Sequence, residues 1–406
     1  MKNILLLTPI YPSPDLPYDT PVVHYFTKEW VKMGYNVCVV HYLVNFPKIV
    51  HWITIPFHRY LESKYASVVR HSQASEKEYV YEGVHVKRIP LLKYAPHTRY
   101  SKRQIEQAYS KTIDYCRQAN YIPDVIISHW VNPQLEIMSM LKDYYNVPTC
   151  FVSHDSGTDL KTIYKSEAQN FINKIDVFGY RSDYIKKKFE TTFRIKKPSF
   201  LCYSGIPQDM VSFNTYCNRD FSAINKFIFV GTLIKRKFPT EIIASLKTSF
   251  KDDFFSMTYV GDGAERNNIL KEISKLSSTQ KVVLAGKLPR NQVVEKLLDN
   301  QVFIMISRNE TFGLVYLEAM ARGCITIASY REGFDGIIKH GVNGFLCEAG
   351  DVQGLAELID EIRNLPIEKI NEISRNAIKT ASELTDYNVA KNYIKIIEEY
   401  ADSKDI

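Results

Sequence analysis

The sequence contains no apolar run that approaches the roughly 18–20 residues of a transmembrane helix. The N-terminus has only a short apolar run at residues 4–7, which is too short for a signal peptide and lacks a cleavage site after it. A first strand of a folded core explains this run better. We therefore expect a cytoplasmic protein, and a peripheral contact with the inner face of the cytoplasmic membrane stays open.

Cysteine is sparse, with seven residues in a chain of 406, and no two of them form a CxxC pair. The positions are Cys38, Cys116, Cys150, Cys202, Cys217, Cys324 and Cys347. An odd number at scattered positions is not the pattern of a disulfide framework or of a cysteine metal site. We expect buried free thiols in a reducing compartment.

Neither sign of charge dominates, because the chain has 52 Lys and Arg residues and 45 Asp and Glu residues, for a formal net charge of +7. This excess falls short of a nucleic-acid-binding tail, so we expect no nucleic-acid partner. It suits anionic ligands or an anionic membrane surface. The chain has no internal repeat, and at roughly 150 residues per domain its length predicts two or three domains.

Short apolar runs alternate with helical periodicity in the first half of the chain. Strands are predicted at residues 4–8, 36–42, 124–128 and 147–153, and helices at residues 22–33 and 135–145. Near-continuous apolar strands separated by helices indicate a parallel sheet that is covered on both faces.

This pattern breaks at residues 201–224, which we interpret as a linker, and then restarts. Further strands are predicted at residues 227–230, 256–260, 282–284, 302–306 and 326–328, and an amphipathic helix at residues 387–401. The fold class is therefore α/β, with two Rossmann-like parallel-sheet domains that face a cleft. We place the segments at residues 1–208, 209–385 and 386–406. Ligands of such sheets bind beyond the C-terminal strand ends, so motifs at those ends are candidates for a site.

The most informative motif runs from Glu310 to Glu318, where two carboxylates flank a Phe-Gly pair directly after an apolar strand. The residues that follow predict a helix that starts at Gly313. The free N–H groups of a first helical turn, with the helix dipole, form an anion site, so a diphosphate would lie on the amides of Gly313, Leu314 and Val315. Glu310 would then lie beside a sugar ring, and Glu318 would accept hydrogen bonds from a ribose diol.

This motif and its neighbours resemble the retaining glycosyltransferases of family 4 (glycosyl transferases group 1), which have the GT-B fold. The resemblance covers most of the chain and is densest from Phe227 to Cys347. It implies that Glu310 holds the donor sugar and Glu318 the donor ribose. It also implies that the first domain binds the acceptor, that the second binds the nucleotide sugar, and that the C-terminal helix crosses back onto the first domain.

Three consecutive cations, Lys235-Arg236-Lys237, follow the strand at residues 227–230, where a donor diphosphate would be their partner. Members of the family usually have Gly-Arg-Leu here and a Lys four or five residues later. Lys237 matches that Lys, but Thr232 stands in place of the Arg. Arg236 or Lys235 would supply the missing charge, and the sequence does not choose between them. A solvated run of charge is the alternative.

Three other turns in this half match the family less specifically. Lys287 and Leu288 match the position whose backbone meets the nucleobase. Gly261-Asp262-Gly263 lacks the third Gly of a dinucleotide fingerprint, and we expect a structural role for it. Residues 331–338 match the loop and helix after the Glu pair, with Gly336 in place of the usual Glu, and we expect them to form a scaffold.

In the first half, His154 follows the strand at residues 147–153 and resembles the His of a His-Gly-x-Asp turn that contacts the donor sugar. We therefore take His154 as a catalytic candidate together with Glu310. Asp155 and Arg181 are candidates on the acceptor side. So are Tyr11 and Thr20, in a stiff proline-rich loop that replaces the Gly-Gly turn of many relatives.

Residues 46–60 and, less densely, residues 91–103 interleave aromatic residues with cations. This composition suits an interfacial patch on an anionic membrane. A pair of helices that packs on its own domain is an equally good explanation. A membrane-bound, lipid-linked acceptor would explain the presence of such a patch.

The sequence thus predicts a retaining glycosyltransferase that moves a sugar from a nucleotide donor to a hydroxyl acceptor, which we expect to be a lipid-linked glycan of surface polysaccharide synthesis. No DxD-like site accompanies the motifs, so we expect no metal and no other cofactor. Two alternatives stay open. One is another GT-B enzyme, such as a sugar-nucleotide epimerase or a glycogen or sucrose-type synthase. The other is a non-catalytic nucleotide-sugar-binding partner of a synthase complex.

Overall fold

The computed structural model describes residues 1–15, 21–49, 73–95, 98–211 and 219–403. Within these residues, the contacts define two compact units. The first unit contains the described chain up to Ser204 and the chain from Asp386 onward, and the second contains the described part of Gly205–Thr385. Part of the segment predicted as a linker, residues 212–218, lies outside the described residues.

The first unit is built on a sheet in which parallel strands predominate. Its strands are β1 (Asn3–Thr8), β2 (Asn36–Asn45), β3 (Lys77–Tyr81), β4 (Val84–Leu92), β5 (Val125–His129), β6 (Thr149–Ser153), β7 (Val177–Tyr180) and β8 (Ser199–Leu201). Their order is β3-β4-β2-β1-β5-β6-β7-β8. The edge strand β3 departs from the predicted parallel pattern, because it pairs antiparallel with β4 through a tight turn with positive φ at Glu82 and Gly83.

Helices cover this sheet. They are α1 (Val22–Lys32), α2 (Lys102–Gln118), α3 (Gln134–Tyr145), α4 (Thr158–Tyr164), α5 (Ala168–Lys174) and α6 (Asp183–Phe193). The start of α2 is fixed by a capping box, in which the Ser101 hydroxyl accepts from the Gln104 amide and the Gln104 side chain accepts from the Ser101 amide. The four strands predicted from apolar runs in this half are all present.

The second unit is a fully parallel sheet with helices between its strands. The strands are β9 (Lys226–Val230), β10 (Ser256–Val260), β11 (Lys281–Gly286), β12 (Val302–Ile304), β13 (Ile325–Ser329) and β14 (Phe345–Cys347), in the order β11-β10-β9-β12-β13-β14. The helices are α7 (Pro239–Phe250), α8 (Arg266–Ile273), α9 (Arg290–Asp299), α10 (Leu314–Ala321), α11 (Val352–Asn364) and α12 (Ile367–Glu383). The two predicted parallel-sheet α/β units are therefore confirmed. The expected helix after residue 331 is wrong, because the segment up to Gly344 forms turns and isolated bridges.

The last helix, α13 (Asp386–Asp402), packs on the first unit, as predicted. Trp30 on α1 donates its indole N–H to the Ala390 carbonyl at 2.9 Å. Tyr393 is buried on α13, and its ring meets Phe26 and Trp30 edge to face at centroid distances of 5.4 and 5.0 Å. The chain therefore returns to its first unit through an aromatic cluster rather than through surface charges.

Replacing Tyr393 by alanine is expected to destabilise the first unit by roughly 3–5 kcal/mol, because the change opens a cavity within this aromatic cluster. Tyr387 on the same helix is 45% exposed, so Tyr387→Ala is the matched control and should cost less than about 1 kcal/mol. The measurement is urea denaturation followed by tryptophan fluorescence. Equal midpoints for the two variants would contradict this role of Tyr393.

Candidate functional site

Two loops of the second unit meet at the carboxyl edge of its sheet, because they follow the adjacent strands β9 and β12. The loop after β9 contains a single 3-10 turn, Lys235–Lys237. The Arg308 amide donates to the Arg236 carbonyl at 2.7 Å, and Arg236 Nη1 donates to the carbonyls of Arg308 and Asn309 at 3.2 and 3.3 Å. The predicted cation run is therefore tied to the loop that carries Glu310.

The Glu310 carboxylate lies between two of these cations. Its Oε2 is 3.5 Å from Arg236 Nη1 and 3.6 Å from Lys237 Nζ, and the side chains of Glu310 and Lys237 are each 13% exposed. Oε2 is buried and accepts no hydrogen bond within the part of the chain that the structure describes. The charge of this nearly buried carboxylate is therefore compensated by two ionic contacts.

Lys237 is buried deeply enough that desolvation lowers its pKa below the ordinary value of 10.5. The Glu310 carboxylate opposes this shift by favouring the ammonium, whereas neighbouring Arg236 adds to it. The charge of Lys237 therefore depends on Glu310, and the two side chains act as one ionic unit. Lys235, by contrast, is exposed, so the geometry favours Arg236 as the cation that replaces the Arg missing at Thr232.

The predicted helix after Glu310 is present as α10, which begins at Leu314 behind Gly313. Gly313 has a φ of +82°, and a Cβ there would lie 2.6 Å from the ring of Tyr316, so both backbone and space favour glycine. Gly313, Leu314 and Val315 are half-buried, and these residues form the first turn at which an anion would bind.

A scaffold beneath this turn fixes the loop. Glu332 accepts a hydrogen bond from the Glu310 amide at 2.7 Å, and Gly333 donates its amide to the Glu310 carbonyl at 2.8 Å. A Cβ on Gly333 would come within 2.5 Å of the Phe312 nitrogen. Tyr316 donates its hydroxyl to the Met305 carbonyl at 2.5 Å. The segment after β13 thus holds Glu310 in place, which fits the scaffold role expected of residues 331–338.

Glu318 on α10 is paired with a residue that the sequence motifs did not indicate. Arg290 donates to Glu318 Oε1 through Nε at 3.0 Å and through Nη2 at 2.7 Å. Burial raises the pKa of Glu318, and Arg290 opposes that rise. Arg290 is the first residue of α9, where a cation is unfavourable because it opposes the helix dipole. A cation at this position is the sequence signal that could have indicated an acidic partner for Arg290.

The remaining donor-side candidates lie at the ends of the same strands. Thr232 is half-buried after β9, and Lys287 and Leu288 follow β11, with Lys287 exposed. Gly261 contacts the β9 loop so closely that a Cβ would lie 1.9 Å from the Gly231 carbonyl oxygen. The Gly-Asp-Gly turn therefore packs strand ends together, as expected for a structural turn.

In the first unit, His154 lies in a chain of hydrogen-bonded rings. His154 Nε2 is 3.0 Å from His129 Nδ1, and His129 Nε2 is 3.3 Å from the Tyr393 hydroxyl. Trp130 stacks on the His154 ring at a centroid distance of 3.8 Å. His129 and Trp130 therefore orient His154.

Burial lowers the pKa values of both His129 and His154 well below 6.5, and Arg181 lowers them further. Both rings are therefore neutral near pH 7. In a neutral pair, one ring must donate to the other, so the tautomer of one ring determines that of the other.

The acceptor-side candidates have structural contacts of their own. Asp155 accepts from the amides of Gly157 and Asp159 at 3.0 and 2.8 Å, which orders the start of α4. The Tyr11 hydroxyl is buried against His24 and Thr27. Arg181 is 2% exposed, and its guanidinium donates to the Cys202 carbonyl at 2.6 Å and to the Ser204 hydroxyl. Thr20 lies outside the described residues.

Three further expectations concern the whole chain. In the described residues, no three His, Cys, Asp or Glu side chains come together as a metal site. The six described cysteines are buried and free, as predicted. No helix in the described part of the chain is long and apolar enough to cross a membrane. Most of the predicted aromatic patch at residues 46–60 lies outside the described residues.

Comparison with known proteins identifies relatives of the chain. Residues 220–380 match the family model described as Glycosyl transferases group 1. The N-acetyl-alpha-D-glucosaminyl L-malate synthase of Bacillus anthracis is 26% identical over 292 residues, which cover 68% of this chain and 72% of that protein. The putative teichuronic acid biosynthesis glycosyltransferase TuaC of Bacillus subtilis is 22% identical over 418 residues, with 98% of each chain covered.

The fold has close structural counterparts as well. The crystal structure of HepE from Anabaena in complex with UDP matches this chain with a TM-score of 0.66 at 17% identity, over 98% of this chain and 100% of that one. The chain therefore has the GT-B fold, and its residues 220–380 are similar to the glycosyl transferases group 1 domain.

Proposed function

We propose that this protein is a retaining, metal-independent glycosyltransferase that moves a sugar from a nucleoside diphosphate sugar to a hydroxyl acceptor. The observation that carries the proposal is the Glu310 carboxylate, which is nearly buried between Lys237 and Arg236 beyond the end of a strand. In this proposal the carboxylate accepts a hydrogen bond from a hydroxyl of the donor sugar. The adjacent cations and the first turn of α10 suit the diphosphate that carries the sugar.

In this proposal, the reaction breaks the bond between the anomeric carbon and the diphosphate and forms a bond from that carbon to the acceptor oxygen. Negative charge develops on the departing diphosphate, where Lys237, Arg236 and the amides of Leu314 and Val315 stabilise it. The acceptor proton leaves with the diphosphate. Because the motifs place no carboxylate as a nucleophile, we propose transfer on one face with retention of configuration.

The remaining site residues position the two substrates. Glu318, held by Arg290, accepts hydrogen bonds from the donor ribose, and Lys287 and Leu288 lie beside the nucleobase. We also propose a catalytic role for His154 in the first unit and binding of the acceptor by that unit. The polysaccharide-related name of TuaC supports a glycan acceptor from surface polysaccharide synthesis, and we propose that it is lipid-linked. We therefore place the protein at the cytoplasmic face of the membrane.

The test incubates the purified protein with a panel of UDP-, GDP- and ADP-sugars, with and without EDTA, and measures release of nucleoside diphosphate. UDP-glucose is the first donor, because a structural counterpart was crystallised with it. Release from one donor that EDTA does not change supports the proposal and identifies the sugar. Release that requires a divalent cation would contradict metal independence. Tight donor binding without release, even with glycan acceptors, would favour a non-catalytic binding partner.

The Arg290–Glu318 pair gives a separate prediction. Arg290→Ala should raise the KM for the donor about tenfold at pH 7 and leave kcat nearly unchanged, because Glu318 loses the contact that holds its carboxylate ionised and in place. Without Arg290, the pKa of Glu318 rises further, so donor affinity should fall at a higher pH as the solution is acidified. Arg290→Lys should recover part of the affinity. Lys296→Ala, on the exposed side of α9, is the control.

A further inference from the structure

The first unit contains a cavity of about 520 Å³ at the C-terminal end of β4 and the first turn of α2. Three cationic side chains line it, those of Lys93, Arg99 and Arg103, and no acidic residue does so in the described part of the chain. A volume of this size lies in the range of small-molecule sites, roughly 300–1,000 Å³. The cavity is therefore large enough for an organic ligand and positive in charge.

The three cations differ in how far they are already neutralised. Arg99 forms ion pairs with Glu136 at 2.9 Å and Glu167 at 3.0 Å, so it contributes structure rather than free charge. Lys93 is less fully neutralised, because the Asp159 carboxylate favours its charged form only as the smaller of the two effects on its pKa. Arg103 is exposed at the cavity rim. Lys93 is therefore the main positive charge left for a ligand.

Lys93 has the environment of a ligand-binding lysine. Its ammonium lies 5.3 Å from the centre of the Tyr100 ring, and partial burial lowers its pKa. A partly desolvated ammonium is stabilised by a neighbouring anion, which the cavity has room to hold.

The backbone around the cavity adds to this preference. The cavity lies at the start of α2, a helix of 17 residues whose N-terminus favours negative charge. Gln104 fixes this start, because its side chain completes the cap on Ser101 and donates to the Leu92 carbonyl at 2.7 Å. The end of β4 and the start of α2 are thus joined by side-chain hydrogen bonds of Gln104.

The cavity rim is also tied to the candidate catalytic histidine. The Thr98 carbonyl accepts a hydrogen bond from the Asn132 side chain at 2.8 Å, and Thr98 lines the cavity. Asn132 follows Trp130 by two residues, and Trp130 stacks on His154. The cavity therefore lies on the same carboxyl edge of the sheet as His154, where the proposed function requires an acceptor.

We propose that this cavity binds the phosphate group of a phosphorylated acceptor, with Lys93 and Arg103 as the charged contacts. The assignment of the bound molecule as an acceptor rests on the proposed glycosyl transfer, whereas the affinity of the cavity for phosphate does not. Phosphate presents more acceptor oxygens and more charge than a carboxylate, which suits a cavity lined by Lys93 and Arg103. A diphosphate on a polyprenyl chain and a free sugar phosphate share this chemistry.

The test is calorimetric titration of the full chain with inorganic diphosphate and with farnesyl diphosphate. Lys93→Met and Arg103→Gln remove each charge but keep most of the side-chain stem. Lys93→Met should weaken binding at least about tenfold, and Arg103→Gln, at an exposed position, only about two- to threefold. Lys188→Met is the matched control, because Lys188 lies 5.5 Å from the Tyr184 ring on the exposed surface of α6 and lines no part of this cavity. Thermal melting checks that each variant is folded.

Lys237→Ala separates the cavity from the donor site, which also suits diphosphate. Binding that survives Lys237→Ala and is lost in Lys93→Met supports the proposal. Binding lost only in Lys237→Ala, or no binding of either probe, overturns it. Tighter binding of farnesyl diphosphate indicates a lipid-linked acceptor, and equal binding of both probes indicates a soluble phosphate. The titration measures binding and needs no turnover. A protein without transferase activity could therefore still bind diphosphate in this cavity, so the two proposals are tested separately.

Discussion

Replacing Lys237 by alanine is expected to slow release of nucleoside diphosphate roughly 100- to 1,000-fold, the size of effect seen when one preorganised charge partner of a transition state is lost. The Lys237 ammonium is nearly buried and lies 3.6 Å from Glu310, so it needs little reorganisation when charge develops on a departing diphosphate. The effect should fall on kcat as well as on kcat/KM, because the charge to be stabilised is largest in the transition state. The measurement is steady-state kinetics with the donor identified in the panel.

Lys235→Ala is the matched control for this prediction. Lys235 lies in the same 3-10 turn and carries the same charge, but it is exposed. Its loss should change the rate less than about threefold, since an exposed charge is screened by water and salt. If Lys235→Ala and Lys237→Ala had equal effects, the general charge of the loop would be responsible, and the assigned role of Lys237 would be wrong.

Glu310→Gln is expected to reduce transfer by a similar factor and to shift its pH dependence. The amide keeps the shape of the side chain but removes the charge that favours the Lys237 ammonium. Burial and Arg236 then lower the pKa of Lys237 further. Because an ammonium is lost as pH rises through its pKa, donor binding should fall on the alkaline side, and in Glu310→Gln this fall should begin at lower pH.

The measurement is donor affinity by calorimetry between pH 7 and pH 10, which needs no turnover. Glu295→Gln, at an exposed position on α9, serves as the control and should follow the wild-type profile. An unchanged alkaline limb in Glu310→Gln would show that Glu310 does not control the charge of Lys237. A Glu310→Gln variant with full transfer activity would remove Glu310 from the proposed mechanism.

Much of the candidate site in the second unit could be predicted from the sequence because its motifs are local. Glu310, Gly313 and the start of α10 are contiguous, and their order of strand, loop and helix follows from apolar patterning. Arg290 could not be predicted in the same way, since it reaches Glu318 from a different helix, 28 residues away in the chain. Choosing Arg236 rather than Lys235 likewise required knowing which cation of the turn points towards Glu310.

In the first unit, even more of the candidate site could be recognised only from the structure. The resemblance placed His154 at the end of a strand, but the ring chain through His129 to Tyr393 joins residues 264 positions apart. The cavity beside Lys93 depends on a strand end, a helix start and a loop that meet only in the folded unit. The sequence showed a mixture of cations and aromatics there, which also fits a membrane-facing patch.

By itself, the sequence determined the two α/β units, most of their strands and the donor motif. These features depend on the periodicity of apolar residues and on glycines with special backbone geometry, both of which act over a few residues. Only the tertiary structure decided the ion pairs of Glu310 with Arg236 and Lys237, the ion pair of Glu318 with Arg290, the ring contacts of His154 and the cationic cavity. Each of these depends on side chains from separate elements, and their distances are set by packing of the sheet and helices, which no local pattern encodes.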